Sequence, residues 1–176
     1  TKDQPTKIAA MEAIWETHEA PAPLTLFAIP DEAAQTNHAQ IDVPWLFGLM
    51  GTRSLSTEIP GIKELTAQAE QRIVNGQKAI GVLEQLRKDP ANEQLREQFL
   101  AVRDDLGFGL LLKRYTNDVN AATPEMIKQA AADTIPSVTP MFWSFRIMVG
   151  SGLAMALVFV LGLFYSFRNE IAEKAW

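Results

Sequence analysis

The chain contains no cysteine, and its 176 residues include only two histidines. Without cysteine there is no disulfide framework, no thiolate metal site and no cysteine nucleophile. His18 and His38 lie in loop-like sequence without metal-ligand spacing, so both are expected at the solvent. No nucleophile–base pair, phosphate loop or zinc motif occurs. A basic excess is missing as well. Residues 1–140 carry 13 Lys+Arg against 19 Asp+Glu, a net charge of −6. Phosphate binding needs a basic footprint, which excludes nucleic acid as a partner. There is no internal repeat, no low-complexity segment and no initiator methionine ahead of Thr1, so the chain reads as a piece of something longer.

What is present is one long charge-free run. The 21 residues Ile147–Phe167 carry no charge. As a helix they reach roughly 31 Å, the thickness of a bilayer core. The run lies near the C-terminus, which excludes a secretory signal peptide. One transmembrane helix is expected, preceded by Pro140. The charges after it, Arg168 and Lys174 against Glu170 and Glu173, give little help with orientation.

Ahead of that helix the pattern is mainly α. "DQPTKIAAMEAIWET" reads as a short helix with Pro5 at its first position. With Lys7 at 0° and about 100° per residue, Met11 falls near 40°, Trp15 near 80°, Ile8 near 100° and Glu12 near 140°. "HEAPAPLTLFAIPDEAAQTN" is punctuated by Pro21, Pro23 and Pro30 and is expected to be loop with at most a short extended piece. "IDVPWLFGLMGTRSLSTEIPG" is too interrupted to span a bilayer; it suits an interface or a larger partner. A long helix is expected from Gly61 to about Lys88, on the stripe Ile62, Leu65, Ala69, Ile73, Ile80, Leu83 and Leu86. After Asp89-Pro90 a second helix should run from about Ala91 to Leu106, the two forming an antiparallel hairpin. A Gly-interrupted connector follows. Thr123-Pro124-Glu125 then opens a third helix that Pro136 stops.

Three candidates for chemistry stand out, each with a plainer reading beside it. Met148 carries a thioether that can ligate low-spin haem iron, next to Gly150, Ser151 and Gly152; methionine in a membrane helix otherwise just packs. Met155, about 20° away around the helix, is an equal rival by geometry. Arg146 is either a snorkelling arginine or a fixed charge that favours the reduced state of a redox centre. It lies about 200° around the helix from Met148, so serving the same haem requires its side chain to curl. Lys7 and Glu12 flank the stripe of Met11, Trp15 and Ile8. A base, a cation and an apolar wall suit a quinol ring, and an ordinary amphipathic surface helix has the same layout.

The stretches "QPTKIAAMEAIWET", "TLFAIPD", "GTRSLSTEIPGIKEL", "GLLLKRYT", "AAADTIP" and "FRIMVGSG" resemble, in family order, subunit I of cytochrome bd quinol oxidases. The resemblance covers that subunit's large hydrophilic quinol loop and the membrane helix after it. It implies that Lys7 and Glu12 are quinol-site residues, that Met148 rather than Met155 is an axial ligand of low-spin haem b, and that Arg146 supports the reduced state of that haem. It further implies a bacterial cytoplasmic (inner) membrane, with residues 1–140 a periplasmic quinol-binding loop, 141–168 the transmembrane helix and 169–176 its cytoplasmic end. Ubiquinol or menaquinol would be the substrate. The remaining helices of subunit I, subunit II, small accessory subunits and the lipid bilayer would be partners. High-spin haem b and haem d belong to the complete subunit; His18 and His38 match none of their ligands.

The expected fold class is thus mainly α: a helical extramembrane loop domain with an amphipathic helix hairpin, followed by one transmembrane helix. The expected function is a quinol:oxygen oxidoreductase of which this piece alone is not competent. The alternative is a single-pass membrane-anchored helical binding or adaptor domain without redox activity.

Overall fold

The computed structural model describes residues 4–47, 56 and 58–168. The fold is mainly helical, with one small sheet. Helix α1 spans Pro5–Glu12, with Pro5 in its first turn, where the missing N–H leaves no bond unmade. It stops at Ala13, which takes a left-handed conformation at φ 52°. The Ile14 N–H then closes on the Ala9 carbonyl at 2.9 Å, satisfying an end carbonyl of the helix. Trp15 therefore leaves the helical stripe on which the 100° spacing placed it. Instead the segment after α1 runs along the start of the next long helix, with Ile62 N–H donating to Ile14 O at 2.8 Å and Lys63 N–H to Trp15 O at 3.1 Å.

The expected loop between them is a β-hairpin. Strands β1, Leu24–Asp31, and β2, Thr36–Val43, pair antiparallel from Leu24 opposite Val43 to Asp31 opposite Thr36. Proline signals concealed it. In a two-stranded sheet both strands are edges, so Pro30 can lack a ladder donor without breaking the pairing. The Asp31 carboxylate accepts the Ala33 and Ala34 N–H groups at 3.0 and 2.9 Å, which turns the chain. His38 consequently lies in a strand, exposed as expected, and His18 is half-buried, pairing its backbone with Ile59. Beyond the hairpin Phe47 is buried in the chain's own core; residues 48–55 and 57 of the apolar interrupted stretch lie outside the described residues.

Helix α2, Ile62–Lys88, is the spine, starting one residue after the expected Gly61. Helix α3, Glu93–Val102, returns along it after Asp89-Pro90, as the hairpin reading requires; Asn92 caps it through a 3.2 Å bond from the Leu95 N–H. It ends four residues before Leu106. There a 3₁₀ turn at Arg103–Asp105 breaks the helix, and Asp105 accepts Arg72 Nε–H at 2.6 Å and Asn75 Nδ2–H at 3.0 Å from α2. The Gly-interrupted connector packs as the short helix α4, Leu106–Gly109, followed by 3₁₀ turns. Gly76 and Gly109 are what allow this: a Cβ on Gly76 would stand 2.2 Å from the Gly109 nitrogen. Helix α5, Pro124–Ala132, begins as expected, with Thr123 Oγ1 accepting the Met126 N–H at 3.4 Å.

Helix α6, Val138–Phe167, has 30 residues and the length and apolarity to cross a membrane. Pro140 does not precede it but sits in its first turn, where a proline costs no intrahelical bond. Among the described residues two apolar clusters form the interior. One gathers Ile73, Leu112, Val119, Ala130 and Ala131 around the middle of α2. The other joins Ala9, Ala10, Ile14, Trp15, Ile62 and Leu65 to Val138 and Phe142 of α6. The first turns of the membrane-spanning helix are therefore part of the extramembrane core. Residues 169–176, expected as its cytoplasmic end, lie outside the described residues.

Candidate functional site

Helix α1 turns Ala9, Ala10 and Glu12 inward, and the two alanines are small enough to let it lie close to its neighbours. That brings Glu12 against α6. Arg146 Nη2 donates to Glu12 Oε2 at 2.8 Å, with the two side chains only 14% and 4% exposed. The same guanidinium donates to the carbonyls of Met11 and Thr25 and lies over the Phe142 ring, 3.7 Å from its centroid. Arg146 thus does not snorkel to water. It crosslinks α6 to α1 and β1 at residues 134 and 121 positions apart in the chain.

Thr25, which sequence reasoning did not single out, is buried; its hydroxyl donates to Asp42 Oδ1 at 2.8 Å, fixing the strand whose carbonyl receives Arg146. Trp15 Nε1–H donates to Asn37 Oδ1 at 2.8 Å, and Asn37 Nδ2–H returns to the Ala13 carbonyl at 2.9 Å, so the hairpin is pinned to the end of α1. Phe27 meets Trp143 edge to face at 5.5 Å, which pins it to α6 as well. Nothing in periodicity signalled these links, because each joins distant segments.

Burial pushes the Glu12 carboxyl above the ordinary carboxylate range, and the charge and hydrogen bond of Arg146 oppose that rise. Lys7 is exposed on the other side of α1, and the structure does not bring it together with Glu12. Ile8 and Met11 between them are half-buried. A cavity of about 510 Å³ opens beside the start of α1, between Pro5, Thr6, Leu65, Arg72, Phe108 and Leu111; Glu12 does not line it.

Met148 points away from this unit and is 62% exposed on α6, as is its rival Met155. Side chains added at Gly150 and Gly152 would meet nothing within 4 Å. The exposed Met148 thioether, beside Gly150 and Gly152, is a donor of the kind that can hold haem iron, so the residues present fit that group. Among the described residues no group of three His, Cys, Asp or Glu is placed to hold a metal ion.

Fold and site together define a class: a membrane-anchored helical unit whose buried carboxylate is tied to the first turns of a spanning helix that carries an outward thioether. The sequence pattern of the family described as cytochrome bd terminal oxidase subunit I matches residues 1–176. The chain belongs to that family. It is 36% identical, over 173 residues, to the cytochrome bd-II ubiquinol oxidase subunit 1 of Escherichia coli (strain K12), covering 98% of this chain and 34% of that protein. It is 25% identical, over 175 residues, to the cytochrome bd ubiquinol oxidase subunit 1 of Bacillus subtilis (strain 168), covering 99% of this chain and 25% of that protein. The chain therefore spans between a quarter and about a third of the length of these relatives.

Proposed function

We propose that this chain is the quinol-oxidising section of a bacterial quinol:oxygen oxidoreductase, with residues 1–140 on the periplasmic face of the inner membrane. The observation that carries the reading is the contact of Glu12 with Arg146, two residues before Met148 on the same helix. A buried carboxylate in contact with the helix that carries Met148 supports this reading.

Glu12 accepts a proton from a hydroxyl of ubiquinol or menaquinol. Lys7, exposed on the other side of α1 and apart from Glu12, would meet the quinol oxygens on their approach, and Ile8 and Met11 offer an apolar wall between the two. Met148 would hold low-spin haem b through its thioether sulfur, and that haem would supply a one-electron acceptor. Arg146, two residues before Met148 in the chain, carries a fixed positive charge that would favour the reduced state of that haem. The opposite ligand, the high-spin haem b, haem d and the oxygen-reducing site belong to other parts of subunit I, which with subunit II and small accessory subunits completes the enzyme. The chain by itself does not reduce oxygen.

The test is a reduced-minus-oxidised visible spectrum of the intact oxidase carrying Met148→Leu. The low-spin haem b band should be lost or displaced, with the other haem bands retained. An unchanged low-spin band would mean that Met148 only packs.

A further inference from the structure

The β-hairpin is polar at one end and apolar at the other. Its turn end carries Asp31, Glu32 and His38, whereas Leu26, Ile41 and Trp45, toward the open end, are each more than half exposed. Phe27 and Ile41 are partners across the ladder, Leu26 adjoins them, and Trp45 follows two residues after Val43, the partner of Leu24. The core takes Thr25 and Ala28 from β1 and leaves Leu26 out. Large apolar side chains grouped at a surface gain free energy when something other than water covers them.

Contacts with α6 fix where this apolar end stands. The Thr139 N–H donates to Glu32 Oε1 at 2.8 Å, Phe27 meets Trp143 with ring centroids 5.5 Å apart, and Arg146 donates to the Thr25 carbonyl. From turn end to open end, the hairpin thus meets α6 from its first turn to Arg146, the last residue before the charge-free run at Ile147. Trp143 precedes that run by four residues, roughly 6 Å along the axis. The headgroup layer on each side of the hydrocarbon is about 5–7 Å deep. The apolar end of the hairpin and the headgroup layer therefore share one level.

We propose that the open end of the hairpin seats Leu26, Ile41 and Trp45 in the lipid headgroup layer beside α6. Through the Phe27–Trp143 contact the patch is continuous with the exposed apolar surface of α6, which has the length and apolarity to cross a membrane. Tryptophan suits that layer, where its ring lies against acyl chains while its N–H stays wet. Depth is limited from the other side. Both strands of a two-stranded sheet are edges, and hydrocarbon cannot satisfy their outward N–H and C=O groups, so the hairpin stops at the headgroups. Residues 24–45 carry Asp31, Glu32 and Asp42 and neither lysine nor arginine. Apolar burial, and not attraction to anionic lipid, is what holds the hairpin down. The extramembrane unit is then fixed to the bilayer at two places, through α6 and through the strand pair whose Thr25 carbonyl receives Arg146.

The test is site-directed spin labelling of the intact oxidase in phosphatidylcholine nanodiscs, with a nitroxide attached at Ile41→Cys, at Leu26→Cys or, in the exposed turn, at Ala33→Cys. This chain has no cysteine of its own, and the unsubstituted oxidase taken through the same labelling supplies the background. Power saturation compares collisions with oxygen, which concentrates in lipid, and with a nickel chelate, which stays in water. The oxygen-to-nickel ratio should be severalfold higher at positions 41 and 26 than at 33. Nickel accessibility at 41 and 26 equal to that at 33 overturns the proposal and leaves the hairpin in water. Protection from both probes at 41 and 26 overturns it as well, because the cover is then protein from the rest of the subunit. A haem spectrum like the parent's qualifies each labelled oxidase as folded. Positions 26 and 41 lie on different strands, so either one decides the question if the other variant misfolds.

Discussion

Arg146 carries its charge into a site that water barely reaches, and its removal leaves more than a lost contact. A buried pair broken on one side costs about 3 kcal/mol, because the surviving charge has no partner. Arg146→Met should therefore accelerate heat inactivation of the intact oxidase, and adding Glu12→Gln should restore part of the loss. A double variant as labile as Arg146→Met alone would mean that the carbonyl contacts, not the charge, carry the stability. The pH dependence follows from the same pair. The folded-state pKa of Glu12 lies above its ordinary 4.5, so the folded chain holds the proton more tightly than the unfolded one. Its stabilising contribution is full below pH 4.5 and is lost as pH rises through the raised value. The rate of heat inactivation, followed across that window, should depend less on pH in Glu12→Gln. Asp105 has the opposite sign. Its bonds from Arg72 and Asn75 lower its pKa below 3.8, so its contribution is present above pH 3.8 and fades as pH falls through the lowered value.

At the scale of elements, the crossing of α2 and α4 depends on two glycines in backbone contact. Gly76→Ala forces the helices apart, an overpacking that costs roughly 1–3 kcal/mol. It should lower the temperature of heat inactivation, and Gly109→Ala should do the same. Gly107, two residues before Gly109, has open space around its Cβ position and lies inside α4. Gly107→Ala should be neutral or should stabilise by up to about 1 kcal/mol, since alanine loses less backbone freedom in a helix. Measured together, the three variants separate a steric effect from a propensity effect; an equal response at Gly107 and Gly76 would refute the close approach. The same crossing explains why the second helix of the hairpin ends at Val102. Asp105 is drawn to α2, and the chain must tighten into a 3₁₀ turn to deliver it.

At the scale of the whole molecule, the two apolar clusters have different neighbours. Phe142 is fully buried among α1 and α2 residues yet belongs to α6, one turn before Arg146. Ile73 is equally buried but sits in the cluster remote from α6. Truncating either to alanine should destabilise, by about 3–5 kcal/mol for Phe142 and 2–5 for Ile73. Only Phe142→Ala should also displace the low-spin haem b spectrum and the quinol KM, because it loosens the seat of Arg146. Equal spectral changes in both variants would show that the membrane helix responds to stability in general and not to this joint.

The sequence by itself determined the helical class, the long α2 stripe, the return of α3, the cap and start of α5 and the spanning length of α6. Each is written in local periodicity, capping residues or an uninterrupted apolar run, and needs no distant partner. The family resemblance was likewise legible in contiguous stretches. The hairpin was not, because its prolines read as loop signals and its pairing partner supplies the missing half of the pattern. Trp15 was misplaced on the α1 stripe because a left-handed Ala13 ends the helix without a glycine to announce it. Glu12 and Arg146 were each visible as candidates, but as separate ones. Only the tertiary structure decided that they face each other: burial and ion pairing depend on which segments meet, and these two lie 134 residues apart in the chain.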